Sequence, residues 1–225
     1  MSTTKTSCAS MNKALCASLA QFLSLKEEER FFAQTLLCGD SQGMRKLTPG
    51  MSPRRLASLT KEGMCFLLEK YRLGFLPFCQ LTAAAQAAIP LAGPSPHDPP
   101  AVCIGSLAGD PSAAGKNFMK MLLCAVGVPV LDLGVEVEPG AFVDAIERHH
   151  LRCAVCSVFV PALVDKVAAV DLLARERGLR ARFRLAAGGA AINAEALAAT
   201  GVDCLETDTA LVALKVMTWL RQPLS

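Results

Sequence analysis

Residues 101–134 read AVCIGSLAGDPSAAGKNFMKMLLCAVGVPVLDLG, and this stretch decides the fold. Its first seven residues are almost wholly apolar, as in a strand that is covered on both faces. Apolar side chains then recur at helical spacing from Phe118 to Ala125, and Gly127 is placed to end the helix. A second apolar run, VPVLDLG, follows. The pattern predicts a strand, a loop over 105–115, a helix and a parallel strand, with the loop at the ligand-binding carboxyl edge of the sheet.

The alternation of strand and helix patterns continues to the end of the chain. We expect helices over 139–149, 161–177 and 209–221, a short helix from Asn193, and strands over 152–158, 183–187 and 203–206. Strands that alternate with helices form a parallel sheet with right-handed crossovers. The sequence therefore predicts an α/β, flavodoxin-like sheet of five strands in the order 2-1-3-4-5, with the switch point between the first and third strands.

The first ninety residues show helical periodicity instead. Two amphipathic segments carry Phe22 and Phe31 among their apolar positions, Ser52-Pro53 is typical of a helix start, and glycines interrupt the helices. We expect a small helical bundle over residues 11–90. The proline-rich residues 91–100 then form a linker, and 101–225 form the α/β domain.

Composition limits the classes of partner and compartment. The chain has 23 Lys and Arg against 20 Asp and Glu, with no basic cluster typical of a nucleic-acid surface. No apolar run reaches the about 18 residues that span a bilayer, and the N-terminus lacks a signal-peptide pattern. We expect a cytoplasmic protein that contacts neither nucleic acid nor membrane. Its cysteines are scattered through apolar segments, and we interpret those at 103, 124, 156 and 204 as small buried hydrophobic residues.

Five short motifs occur in an order that resembles a known family. They are LLEKY through LP (67–77), GDPSAAGKN (109–117), LDLGV (131–135), SVF (157–159) and the pair Gly188-Gly189. The corrinoid proteins of methyltransferase systems, and the cobalamin-binding module of methionine synthase, carry Gly-Asp-x-His-x-x-Gly-Lys-Asn, Asp-Leu-Gly-Val and Ser-x-Leu in the same order. The resemblance covers about residues 28–221 and implies a helical cap, a linker and a flavodoxin-like domain that binds cobalamin.

The resemblance also implies a set of cofactor-binding residues. They are Asp110, Ser112, Gly115, Ser157, Val158, Phe159, Gly188, Gly189 and Asp208. In the family the loop histidine is the lower axial ligand of cobalt, and the aspartate polarises its far nitrogen. Ser112 stands at the histidine position here, so this loop supplies no imidazole ligand. We therefore expect cobalamin to be bound with no protein histidine below cobalt, and we assign no metal ligand.

Several of these residues have a second interpretation. Asp110 suits the N-cap of a helix that begins at Pro111, in which case residue 112 lies on a helical turn. Ser157 either donates to a nucleotide base or bonds the backbone at a strand end. The glycine pair marks a close approach by a ligand or by a helix. Asp208 either caps the last helix or contacts a ligand.

The remaining histidines do not replace the missing one. His149 and His150 end the second helix of the α/β domain, which places them at the opposite edge of the sheet from the ligand loops. His97 lies in the linker, where we expect it to be exposed. Cys153 and Cys156 have redox spacing, but residues three apart in a strand point to opposite faces, which argues against a metal or disulfide.

Two functions from different classes follow from the resemblance. The first is a cobalamin-dependent methyl carrier whose partners are methyltransferase subunits or a corrinoid reactivation protein. The second is a non-catalytic scaffold or regulatory paralogue that keeps the fold and binds cobalamin weakly or not at all. No catalytic triad, phosphate-binding lysine motif or paired-carboxylate site occurs in the sequence, so we expect at most the corrinoid subunit of an enzyme.

Overall fold

A computed structural model describes residues 3–25, 30–46, 51–189 and 200–222, without the side chains of residues 3–12, 30 and 45. It divides into two compact units, one mainly of residues up to Gly93 and the other mainly of residues from Pro94 onward. Among the described residues, no helix has both the length and the apolar character needed to cross a membrane.

The first unit is helical, as predicted. Its helices are α1 (Thr3–Phe22), α2 (Arg30–Cys38), α3 (Ser41–Lys46), α4 (Pro53–Arg72) and α5 (Phe78–Ala92). The predicted start of α4 is confirmed, because Ser52 Oγ accepts the N–H of Arg55 at 3.3 Å and Pro53 occupies the first helical position.

The helical core differs from the sequence pattern at two phenylalanines. Phe32, Leu36, Met64 and other apolar side chains are fully buried, but the Phe22 and Phe31 side chains are 55% and 49% exposed. Both phenylalanines lie near the ends of their helices, where a side chain has neighbours on one side only. Helical spacing identifies the apolar face but not how deeply each of its members is buried.

The second unit is the predicted five-stranded parallel sheet in the order β2-β1-β3-β4-β5. Its strands are β1 (Val102–Leu107), β2 (Val130–Val137), β3 (Cys153–Ser157), β4 (Arg184–Gly188) and β5 (Cys204–Glu206). The helices are α6 (Ala114–Ala125), α7 (Pro139–His149), α8 (Val164–Glu176), which follows a 3-10 turn at Pro161–Leu163, and α9 (Thr209–Arg221). The helix predicted from Asn193 lies outside the described residues.

The register places three residues side by side at the carboxyl edge. Ser106 of β1 pairs with Ser157 of β3, which pairs with Gly188 of β4. Strands β1 and β3 are buried throughout, as the apolar runs predicted. The loop after β1 begins at Ala108 rather than at Gly105, because Gly105 lies within the strand, where a Cβ atom would approach the Phe142 ring to 2.9 Å.

The cysteines of the sheet are mostly inert thiols. Cys103 and Cys156 are fully buried, whereas Cys124 and Cys204 are only partly buried, which corrects half of the prediction. Burial raises the pKa of both Cys103 and Cys153 to about 12. Thiols of this kind are protonated near neutral pH and are poor nucleophiles.

Candidate functional site

The loop between β1 and α6 has an extended form. Helix α6 begins at Ala114, and its first turn is closed by the N–H of Asn117, which donates to the Ala113 carbonyl at 2.9 Å. The alternative of a helix from Pro111 is therefore wrong. The reason is that Asp110 closes a turn inside the loop instead of capping a helix: its Oδ1 accepts the N–H of Ser112 at 3.0 Å.

The Asp110 carboxylate joins two loops. Its Oδ2 accepts the N–H of Phe159, which follows β3, at 2.6 Å. Asp110 is fully buried, so these bonds from main-chain donors compensate the cost of removing the side chain from water. Both carboxylate oxygens are thus engaged by the backbone, whereas the family resemblance gives this aspartate a histidine to polarise.

Ser112 is held in place on both sides of its α-carbon. Its N–H donates to Asp110, and its carbonyl accepts the Ser106 hydroxyl at 2.6 Å. The half-buried residue 112 is therefore part of the loop and not of a helix.

A third segment reaches the same loop from β2. Glu136 Oε2 accepts the N–H of Gly109 at 2.5 Å, which ties the end of β2 to the β1–α6 loop. Glu136 adopts a left-handed φ of 55°, and Gly134 a φ of 93°. Such a backbone is uncommon for a glutamate and is found where surrounding contacts enforce it. Sequence reasoning missed Glu136, and its only signal was an acidic residue at the carboxyl end of a strand.

Ser157 has an unused hydroxyl at the centre of this edge. The residue is 7% exposed, and its side chain forms no hydrogen bond within the described parts of the chain. A Cβ atom placed on Gly115 would lie 3.0 Å from Ser157 Oγ and within 4 Å of no other atom. The missing side chain at Gly115 therefore lets the first turn of α6 approach the Ser157 hydroxyl closely, and any larger residue there would press against that hydroxyl.

The glycine pair makes a close approach to the main chain. A Cβ atom on Gly189 would lie 2.0 Å from the carbonyl oxygen of Val158, so no larger residue fits. The N–H of Val158 donates to the Gly188 carbonyl at 2.9 Å. The approach to Gly189 is made by the loop after β3, which is neither of the two predicted groups and extends the β3–β4 pairing beyond the strand ends. At Gly188 the helix alternative holds, because an added Cβ would lie 3.2 Å from Val212 of α9.

The residues predicted from sequence are therefore brought together in part. Eight of them lie at the carboxyl edge, either as the last residue of β3 or β4 or on the segments that follow β1, β3 and β4: Asp110, Ser112, Gly115, Ser157, Val158, Phe159, Gly188 and Gly189. Asp208 follows β5, and its Oδ1 accepts the N–H of Ala210 at 2.8 Å, which is the capping alternative.

Two apolar side chains remain uncovered at this edge. Phe159 is 61% exposed and Val135 is 40% exposed, although Val158, which directly precedes Phe159, is fully buried. Exposed apolar groups beside an unused hydroxyl are typical of a ligand site.

Two of the sequence motifs meet through an ion pair. Lys116, only 5% exposed, donates through Nζ to Asp132 Oδ1 at 2.8 Å and to Asn117 Oδ1 at 2.9 Å. Lys120 Nζ lies 3.1 Å from Asp132 Oδ2. Burial alone would raise the pKa of Asp132, but hydrogen bonds from the two lysines and from the Gly134 N–H outweigh it and lower the pKa. The contact holds α6 against β2.

The histidines lie where the sequence placed them. His149 ends α7 and His150 follows it in a left-handed conformation, both exposed at the amino edge of the sheet. His150 lines a cavity of about 320 Å³ with Leu151 and Arg152, on the opposite edge from Ser157. His97 is exposed in the linker, as predicted. No group of three or more His, Cys, Asp or Glu side chains suited to a metal ion occurs in the described ranges.

Comparison with known proteins rests on structure, because no family model and no curated protein sequence matches the chain. A cobalamin-binding protein from Desulfitobacterium hafniense DCB-2 superposes with a TM-score of 0.67 and 18% identity, covering 83% of this chain and 95% of that one. The methanol:cobalamin methyltransferase complex MtaBC from Methanosarcina barkeri gives a TM-score of 0.69 and 20% identity, covering 87% of this chain and 80% of that one.

A third similar structure is the monomethylamine corrinoid protein of Methanosarcina barkeri. It gives a TM-score of 0.50 and 17% identity, covering 83% of this chain and 95% of that one. Identities of this size establish the fold and leave the function to the residues of the site. The chain thus has the fold of solved cobalamin-binding and corrinoid proteins of methyltransferase systems, as the sequence motifs predicted.

Proposed function

We propose that this chain binds cobalamin at the carboxyl edge of its sheet and carries methyl groups in a cytoplasmic methyltransferase system. Its partners would be methyltransferase subunits and a corrinoid reactivation protein. The fold supports the proposal, since similar structures include a cobalamin-binding protein and a methyltransferase complex. The observation that carries it is the Ser157 hydroxyl, which belongs to a residue only 7% exposed, forms no hydrogen bond in the described ranges and lies beside the glycine at position 115.

The residues at this edge fit such a cofactor. Ser157 offers a hydrogen-bond donor to the nucleotide base, and Gly115 beside it has no side chain that would cover this hydroxyl. Phe159 and Val135 offer apolar surface that a large ring system would cover. Cobalamin, when bound, supplies the methyl-transfer chemistry, and the protein supplies binding and orientation.

Asp110 and Glu136 prepare this site without touching the ligand. Through backbone N–H groups they hold the loop after β1 against the loop after β3 and against the end of β2. A loop held in this way loses little conformational entropy when a ligand binds, and preorganisation of this kind increases affinity.

The site lacks a protein ligand for the lower face of cobalt. Residue 112 is a serine, and the carboxylate of Asp110 is engaged by two backbone donors. We propose that the cofactor binds with no imidazole of the protein below cobalt, so that water or the cofactor's own base takes that position.

Gly115 provides the principal test, because a side chain there would cover the Ser157 hydroxyl. Gly115 is the second residue of α6, and Gly140 is the second residue of α7, with no atom within 4 Å of an added Cβ. Purified protein is incubated with hydroxocobalamin, and the visible absorption of the protein fraction is measured after gel filtration. We expect wild type and Gly140→Leu to retain cobalamin and Gly115→Leu to lose at least ten-fold in affinity. Equal retention by both variants would refute the site.

The axial position has a separate test in Ser112→His. Because residue 112 lies in an extended loop and not on a helical turn, we expect the visible spectrum of bound cobalamin to shift toward that of a histidine-ligated form. An unchanged spectrum with unchanged retention would show that position 112 does not face cobalt. Electron paramagnetic resonance of the cob(II)alamin form identifies the bound nitrogen.

The missing imidazole also favours a second function, that of a scaffold or regulatory paralogue. Such a protein would keep the methyltransferase-binding surfaces while retaining no cobalamin. This second function predicts that the wild-type protein is colourless after incubation with hydroxocobalamin and gel filtration. It also predicts that the protein co-elutes with a methyltransferase subunit.

A further inference from the structure

A cavity of about 760 Å³ lies between α1 and α2 of the helical unit. Residues of both helices line it, including Lys13, Cys16 and Gln21 of α1 and Gln34 and Cys38 of α2. Cys16 is half-buried, whereas Cys38, the last residue of α2, is exposed. Two thiols from neighbouring helices thus face one solvent-accessible cavity.

The two thiols also interact electrostatically. Burial raises the pKa of Cys16, and the neighbouring Cys38 raises it further. The other exposed thiol of the unit, Cys79 on α5, does not line the cavity.

We propose that Cys16 and Cys38 are a redox-responsive thiol pair that forms a disulfide between α1 and α2 on reaction with a low-molecular-weight disulfide. This inference is independent of cobalamin, because the cavity belongs to the helical unit alone. It assigns a role to two cysteines that the sheet and its carboxyl edge do not use.

The reaction proceeds by two thiol–disulfide exchanges. The exposed Cys38 thiol loses its proton to solvent and attacks one sulfur of oxidised glutathione, and the S–S bond breaks to release one glutathione thiolate. The Cys16 thiol then loses its proton and attacks Cys38 Sγ, which releases the second glutathione. The protein dithiol gives up two electrons, and one oxidised glutathione is reduced to two thiols.

The cross-link would close a segment of the chain that begins on α1 and ends on α2. Because a disulfide restricts the unfolded chain, the oxidised protein should unfold at a higher concentration of urea than the reduced one. The linked helices would also keep a constant separation across the cavity.

The test uses the full chain with oxidised glutathione, followed by digestion and mass spectrometry without reduction. We expect wild type to yield a peptide pair joined through Cys16 and Cys38, less two hydrogen atoms. Cys79 serves as an internal control, because an exposed thiol outside the cavity should take up glutathione instead. In Cys16→Ser, Cys38 should stop at the mixed disulfide with glutathione.

Two results would overturn the pair. One is wild-type Cys38 that remains a mixed disulfide, as Cys79 does, and the other is a link from Cys38 to any cysteine except Cys16. Should Cys16→Ser fail to fold, differential alkylation of wild type before and after oxidation gives the same decision, since both thiols of the pair must be lost together.

Discussion

At the amino edge of the sheet Arg180 lies between Asp171 and Asp203, whereas at the carboxyl edge Asp110 and Glu136 accept N–H groups of neighbouring loops. Arg180 Nη2 lies 2.7 Å from Asp203 Oδ2 and also donates to the Gly201 carbonyl at 2.9 Å. At the amino edge an arginine is paired with carboxylates. At the carboxyl edge the carboxylates accept backbone N–H groups and so fix the positions of the loops.

Arg152 extends the difference between the two edges. At the amino edge its guanidinium donates to the carbonyls of Leu220 and Trp219 at 2.8 and 3.2 Å, which holds the end of α9. Planar guanidinium groups pack between secondary-structure elements and donate hydrogen bonds to the carbonyl groups beside them. At the carboxyl edge the carboxylates tie loops together but leave the Ser157 hydroxyl without a hydrogen bond in the described ranges and two apolar side chains exposed. The amino edge is therefore held by charge pairs, and the carboxyl edge by bonds that fix the backbone of its loops.

The largest expected effect comes from removing the Asp110 carboxylate. Asp110→Ala leaves two backbone N–H groups without their charged acceptor, and we expect the free energy of unfolding to fall by about 4 kcal/mol. Urea denaturation followed by circular dichroism measures it. Asp98→Ala is the matched control, because Asp98 also accepts a backbone N–H, that of Ser95 at 2.8 Å, but is exposed. Equal losses in the two variants would contradict the role of burial.

A smaller loss is expected at the amino edge. Asp171, with 10% of its side chain exposed, accepts bonds from Arg180 and from the more exposed Arg175. Asp171→Ala should lower the free energy of unfolding by about 2 kcal/mol, since partial solvation of the arginines limits the cost. Cobalamin retention should not change. If the variant lost cobalamin binding while remaining folded, the separation of the two edges would be wrong.

The exposed ion pair of Asp144 and Arg177 provides the control for this edge. Their atoms lie 2.6 Å apart, but their side chains are 52% and 40% exposed. Asp144→Ala should leave the urea midpoint unchanged, because solvent screens such pairs.

Acid should weaken the Asp132 ion pair selectively. Its folded-state pKa is lowered, so the stability that its charge contributes is present above the unfolded pKa of about 3.9 and is lost as the pH falls through the lower folded value. At pH 7 Asp132→Asn should lower the free energy of unfolding by about 1.5 kcal/mol. Unfolding curves measured from pH 7 down to about pH 3 should show this difference from wild type shrinking below about pH 4. If the difference in unfolding free energy between Asp132→Asn and wild type did not depend on pH, it would arise from packing and not from the charge of Asp132.

The smallest effects distinguish two paired serines. The Ser106 hydroxyl donates to the Ser112 carbonyl, and Ser157 beside it forms no hydrogen bond in the described ranges. Ser106→Ala should lower the free energy of unfolding by about 1 kcal/mol, and Ser157→Ala by less than about 0.5 kcal/mol. Thermal or urea denaturation compares the two. A larger loss at Ser157 would mean that its hydroxyl already has a structural partner.

The sequence predicted the elements more accurately than the site. Helices α7 and α9 have their predicted bounds, since each is set by local spacing and by nearby residues such as Pro139 and Thr209. The start of α6 was left open, because Asp-Pro-Ser suits both an N-cap and a turn, and the helix begins three residues after the Pro111 alternative. The choice depended on Phe159, 49 positions away, whose N–H needed an acceptor.

The candidate site was predictable only as a set of segments. Parallel strands end at one edge, so the residues after β1, β3 and β4 had to lie there. That rule does not say which group each side chain hydrogen-bonds. Glu136 reaches Gly109 across 27 positions, and no spacing in the chain indicates it.

The sequence by itself determined the period of burial along the chain, and with it the helical first unit, the parallel sheet, the strand order and the absence of histidine at position 112. These properties are local or follow from chain connectivity. Only the tertiary structure decided that Asp110 binds backbone, that the Ser157 hydroxyl forms no hydrogen bond in the described ranges and that Cys16 and Cys38 face one cavity. Each depends on which groups from distant segments compete for the same hydrogen bond or volume, and that competition exists only in the folded chain.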